Sequence, residues 1–135
     1  MATVKSTYKG DLRTEMTHLQ SGVKLVADAP TDNHGKGESF SPTDMVAAAL
    51  GACVMTIIGI ASKTHGFDVA GAHWETTKIM AQEPRRIGEI VIDFHFPRDY
   101  DPKVKRIIEA AGRECPVARS LSAELKQTLH FHYGE

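Results

Sequence analysis

The stretch SPTDMVAAALGACVMTIIGIASKTHG, from Ser41 to Gly66, decides how the chain is read. Ser41 is placed to accept a backbone N–H as N-cap. Pro42 takes the first helical position, where its missing N–H costs nothing, and Asp44 completes an S-x-x-D capping box. At the other end Lys63 and His65 suit the negative end of the helix dipole, and Gly66 supplies a left-handed stop. The limits enclose about 24 residues, roughly 36 Å at 1.5 Å per residue, with no charge between Asp44 and Lys63. One long helix is expected, covered nearly all round, with Cys53 in its middle.

The run Met45 to Ala61 approaches the length of a membrane span. It is built from Ala, Gly, Thr and Cys rather than Leu and Phe, and it lacks aromatic or basic anchors at both ends. Small residues such as Ala47, Ala48, Gly51 and Ala52 let other elements approach the backbone closely. The stretch therefore reads as the spine of a core, and no membrane partner is expected.

Composition sets the frame. The 135 residues fit a single domain, 1–135, able to bury a core without disulfide or metal staples. Sixteen basic and 17 acidic residues give a net charge of −1, which offers no electrostatic footprint for nucleic acid. The opening MATVKSTYKG holds no apolar secretory core, so a cytoplasmic protein is expected.

Before the helix, Val4–Tyr8, Thr14–Leu19 and Val23–Ala27 read as a three-stranded meander, with turns at Gly10-Asp11 and Ser21-Gly22. Arg13 falls at the start of the second strand. The loop PTDNHGKGESF, carrying His34, Lys36 and Glu38, reads as solvated surface. After the helix, Phe67–Ile79 and Ile87–Phe96 form a hairpin, the second strand pointing Ile90, Ile92, Phe94 and Phe96 to one face. Asp101 caps a second helix from Pro102 to about Glu114. Pro116 breaks it and opens a short third helix to about Ser122. Leu125–Tyr133 closes the chain as a strand. The order β-β-β-α-β-β-α-α-β is α+β, with antiparallel sheets.

No phosphate loop, nucleophile elbow or dinucleotide fingerprint is present, so no cofactor is expected. Seven histidines lack ligand spacing, so no metal is expected either. The two cysteines remain. Cys53 alone reads as a small core hydrophobe. Cys115 sits at the helix break, where backbone N–H groups and the dipole favour a thiolate. As a pair the two suggest thiol redox chemistry, provided that folding brings their Cα atoms within about 7 Å.

The helix SPTDMVAAALGAC, followed about 60 residues later by CPVARSL, resembles the osmotically inducible protein C and organic hydroperoxide resistance family (OsmC/Ohr), over almost the whole chain. The resemblance implies sheets wrapped around a long central helix in an intertwined homodimer with active sites at the interface. It also implies a thiol-dependent peroxidase acting on organic hydroperoxides and reset by an external dithiol. Cys53 matches the peroxidatic cysteine and Cys115 the resolving one. Arg13 matches an arginine from the N-terminal strands that holds the thiolate. The organic hydroperoxide resistance members carry a glutamate directly after the helix proline. Here that position is Thr43, and Asp44 either substitutes from one residue further on or caps the helix. The chain is thus closer to the OsmC-like branch, for which the alternative expectation is a small-ligand-binding or stress protein with little peroxidase activity.

Overall fold

A computed structural model describes residues 1–134, which fall into two compact units, Met1–Val46 and Ala47–Glu135. The first unit is an antiparallel sheet of β1 (Val4–Gly10), β2 (Arg13–His18) and β3 (Lys24–Asp28), in the order β1-β2-β3. Both turns need left-handed backbone, which Gly22 (φ 76°) provides at the second and Asp11 (φ 51°) and Leu12 (φ 64°) adopt at the first. The loop that follows folds back on β3: Asp28 N–H donates to Phe40 O at 3.0 Å, and the Ser39 hydroxyl to Val26 O at 2.7 Å.

Helix α1 runs over Pro42–His65, starting in the first unit and continuing through the second. The expected capping box is formed. Ser41 N–H donates to Asp44 Oδ2 at 2.9 Å, and Asp44 N–H to Ser41 Oγ at 3.1 Å. Gly66, at φ 74°, and Phe67 both donate to Ser62 O and end the helix.

The second unit contains β4 (His73–Ala81), β5 (Arg86–Phe96), α2 (Pro102–Gly112), α3 (Pro116–Ser120) and β6 (Lys126–Tyr133). Its core gathers Leu50, Val54 and Ile58 of α1, Ile90, Ile92, Phe94 and Phe96 of β5, and Ile108 of α2, all fully buried. The single face expected on β5 is thus the core face. Length and composition alone would let α1 cross a membrane, but this stripe is packed inside the protein.

Three expectations are corrected. The helix is covered on one side only within the chain: Ala48, Ala49, Ala52 and Ile60 are exposed, because the core stripe of Leu50, Val54 and Ile58 occupies a single face of the helix. The strand after α1 begins at His73 rather than Phe67. Phe67 is spent on the helix cap, and Val69–Ala72 form a turn closed by Ala72 N–H on Val69 O. The second sheet, β4-β5-β6, is mixed rather than antiparallel, since β6 pairs parallel to β5. The chain between Phe96 and Lys126, carrying α2 and α3, is long enough for the crossover that a parallel pair requires.

Leu50 sits at the centre of this packing. Leu50→Ala should cost about 3 kcal/mol in urea unfolding. A loss below about 1 kcal/mol would mean that the α1–β5 contact does not carry the fold.

Candidate active site

Cys115 lies where the sequence places it, at the N-cap of α3. Its extended backbone (φ −71°, ψ 140°) follows from Pro116, and its Sγ accepts the Ala118 N–H at 3.2 Å. It is also fully buried, which the sequence did not indicate. Burial is the dominant influence and pushes the thiol up from its ordinary value. The Ala118 N–H pulls it down, and the neighbouring Cys53 thiol pushes it up again. Desolvation therefore defeats the helix terminus, and the expectation that Cys115 is a terminus-activated thiolate is corrected.

The two cysteines fall in one core cluster, and both are free thiols. Cys53 is half-buried on α1 and packs against the core cluster, while Cys115 belongs to the cluster itself. Gly112 eases the approach of α2. A Cβ at that position would come within 3.2 Å of Val54 Cγ1 and 3.3 Å of Phe131 Cζ, so any larger residue requires those side chains to yield by a few tenths of an ångström where the end of α2 meets α1.

In the first unit Arg13 is engaged from two sides. Its Nε and Nη2 meet Asp28 Oδ1 and Oδ2 at 2.7 and 2.8 Å, and Nη2 also donates to Glu38 Oε1 at 2.9 Å. Arg13 and Asp28 are cross-strand partners in the β2–β3 register. The guanidinium holds the Asp28 carboxyl below its ordinary value, and the two carboxylates push the guanidinium up. Asp44 is not one of Arg13's partners, since its carboxylate closes the capping box, so the Arg13–Asp44 pair is not formed. The sequence reading missed Asp28, one residue beyond the expected end of its strand, and left Glu38 as a solvated loop residue.

The remaining candidates fall elsewhere. Phe40 and Met45 line an open groove of about 310 Å³ with Lys24, Leu25, Val26 and Ser39. His130 and His132 lie on one face of β6, as their spacing implies. Across that sheet His73, His95 and His132 stack at 5.2 and 4.8 Å, and His132 Nε2 meets Asp93 Oδ1 at 3.0 Å. Among the described residues no three His, Cys, Asp or Glu side chains form a metal-binding group.

The scaffold is α+β, with one free cysteine on its long helix and another at a helix break, and comparison with known proteins gives the family. Residues 35–130 match the model of the OsmC-like protein family, to which this chain belongs. It is 45% identical to a Psychrobacter arcticus protein whose crystal structure is described as that of a putative osmotic stress induced and detoxification response protein, with TM-score 0.94 over 98% of this chain and 96% of that one. An organic hydroperoxide resistance protein OsmC of Legionella pneumophila shares the fold at 14% identity, TM-score 0.74, over 98% of both chains. An organic hydroperoxide resistance protein of Elizabethkingia anophelis does so at 14% identity, TM-score 0.77, over 98% of this chain and 97% of that one. No match was found among curated proteins.

The folded state holds the Cys115 proton more tightly than the unfolded chain. Its contribution to stability is therefore complete below the ordinary thiol value of 9.0 and declines as pH rises beyond it. In the native protein at neutral pH, iodoacetamide should modify Cys115 far more slowly than after unfolding in guanidinium. Equal rates by peptide mass mapping would contradict the burial.

Proposed function

We propose that the chain is a thiol-dependent peroxidase that reduces organic hydroperoxides. The observation that carries the reading is a pair of free thiols of unequal burial in one core cluster, Cys115 within it and Cys53 packed against it. The Cys53 thiolate attacks the terminal peroxide oxygen; the O–O bond breaks, and the alkoxide leaves as an alcohol after taking a proton. Cys53 is now a sulfenic acid. The Cys115 thiol attacks its sulfur, water leaves, and a Cys53–Cys115 disulfide remains. An external dithiol reduces that disulfide by exchange and restores both thiols. A cysteine kept protonated by burial suits the resolving step, because it does not compete for peroxide.

In this reading Arg13 supplies the cation that offsets the desolvation of the Cys53 thiolate. Asp44 serves the helix start rather than the arginine. The unit of function is a homodimer with its sites at the interface. Support for the dimer comes from the exposed Ile60 and alanines of α1 and from the apolar side chains that the first unit leaves uncovered, such as Leu25 and Phe40. The match over 35–130 crosses from one compact unit into the other, which supports one domain over 1–135. A cytoplasmic location, where thiols are kept reduced, suits the cycle.

A second reading, a small-ligand-binding protein with little turnover, rests on the groove lined by Leu25, Val26, Phe40 and Met45. It predicts that ligand binding survives loss of both cysteines.

Stoichiometric cumene hydroperoxide should give a dimedone-trapped sulfenate at Cys53 in a Cys115→Ser variant, and an intramolecular disulfide in the unaltered protein. Cys53→Ser should abolish peroxide consumption. Undiminished consumption in that variant, or an unoxidised Cys53, would leave the ligand-binding reading.

A further inference from the structure

The face of the second sheet turned away from the core carries a patch that the thiol chemistry does not use. Ile92, Phe94 and Phe96 of β5 point into the core, so the residues between them, Asp93 and His95, point to the other face. The register sets His130 of β6 opposite Asp93 and His132 opposite His95. On the far side Glu75 and His73 of β4 stand opposite the same two residues. Three strands thus bring four imidazoles and two carboxylates into two adjacent rows. The grouping arises from pairing across strands, which is why no spacing along the chain announces it.

The rings are not equivalent. His73, His95 and His132 stack at 5.2 and 4.8 Å with interplanar angles of 17° and 15°. An imidazole nitrogen binds a metal in the plane of its ring, and an ion in the plane of one stacked ring lies out of the plane of the next. His130 is set differently. It is exposed, and its ring lies 6.5 Å from that of His132 at 44°, so their two planes converge. His132 is held from one side: its Nε2 meets Asp93 Oδ1 at 3.0 Å. A carboxylate only accepts, so Nε2 carries the proton of the neutral ring and Nδ1 keeps the lone pair. A carboxylate on the far nitrogen is the support that fixes the tautomer of metal-ligating histidines and raises their basicity. The His132 contact, with His130 and His95 beside it, holds the Asp93 carboxyl below its ordinary value.

We propose that His130 and His132, supported by Asp93, form a surface chelate for a borderline divalent transition-metal ion such as Zn2+ or Ni2+. Two imidazoles bind the ion and water completes its shell, since among the described residues no third His, Cys, Asp or Glu joins them in a ready-made group. Imidazole suits these ions, whereas Mg2+ takes oxygen ligands. Metal–nitrogen bonds of about 2.0 Å require the two rings to draw together, which the exposed His130 achieves by turning about its side-chain bonds. The site lies wholly within the second unit and does not depend on the peroxidase reading.

The test is calorimetric titration of the reduced, untagged protein with ZnCl2. Thiols compete for such ions, so the Cys53→Ser/Cys115→Ser variant is titrated alongside. Saturable binding of a single ion should persist in that variant and disappear when His130→Gln is added to it. Asp93→Asn, which keeps the shape and removes the supporting charge, should weaken binding by about tenfold or more. MgCl2 should give no saturable binding. With NiCl2 the paramagnetic ion should broaden the imidazole C–H resonances of His130 and His132 before those of His18, His34 and His65, a localisation that needs no substitution. Zinc binding that vanishes with the cysteines, survives His130→Gln unchanged or is matched by Mg2+ would overturn the proposal, as would nickel broadening centred on other histidines.

Discussion

The second unit depends on the packing of one helical stripe, Leu50, Val54 and Ile58, into the face of β5 formed by Ile90, Ile92, Phe94 and Phe96. Each of these side chains is removed entirely from water, a stabilisation of about 1.5–3 kcal/mol apiece before the entropy of ordering is set against it. The stripe has a chemical consequence because Cys53 directly precedes Val54. Any element that packs on the same stretch of α1 is brought up to the thiol. Helix α2 does so through Ile108 and Gly112, and the chain then breaks at Cys115. Both thiols thus come to the same core cluster through helix packing, with a glycine that eases the approach of α2 and a proline that stops it.

The mixed sheet belongs to the same logic. The central strand β5 must be covered on its inner face by α1, and a return by hairpin would leave α2 with nowhere to pack. The helical crossover delivers β6 parallel to β5, placing Phe131 against Phe94 and Tyr133 against Phe96 at 5.4 Å in stacked pairs. Tyr133 is then buried deeply enough to hydrogen-bond Glu109 of α2 at 2.9 Å, tying the crossover helix to the strand it delivers.

What was legible in the sequence is what depends on neighbours along the chain. The capping box at Ser41 and Asp44, the glycine stop at Gly66, the alternation of β5 and the helix start at Pro116 all rest on interactions within a few residues, and all are present. Reading failed where tertiary contacts decide. Phe67 to Ala72 has a composition suited to a strand, but its backbone groups are used by the helix cap, by a turn and by Tyr100, whose hydroxyl donates to Asp68 O at 2.6 Å. Strand direction for β6 cannot be read from alternation, which is the same in parallel and antiparallel pairs. Arg13's partner was missed for a related reason: register across β2 and β3 places Asp28 opposite it, and no spacing along the chain encodes that distance.

Cys115 shows how two correct local rules can give the wrong sum. The helix terminus does present N–H groups to its sulfur, and in water that would favour the thiolate. Complete burial opposes them, because a charge taken out of water loses more solvation than one or two backbone dipoles return. Magnitude decides the sign, and in the proposed cycle the sign decides the division of labour. A thiol held protonated in the core is a poor first nucleophile, but it is well placed to meet an electrophilic sulfur formed on its neighbour, where it loses its proton as the new bond forms. Cys53 is the only one of the two with a side chain open in part to solvent, which in the proposed cycle makes it the one that meets the peroxide. The asymmetry that ranks the two cysteines therefore comes from how far each is sunk into the core, a property of the packed helices rather than of either cysteine's sequence motif.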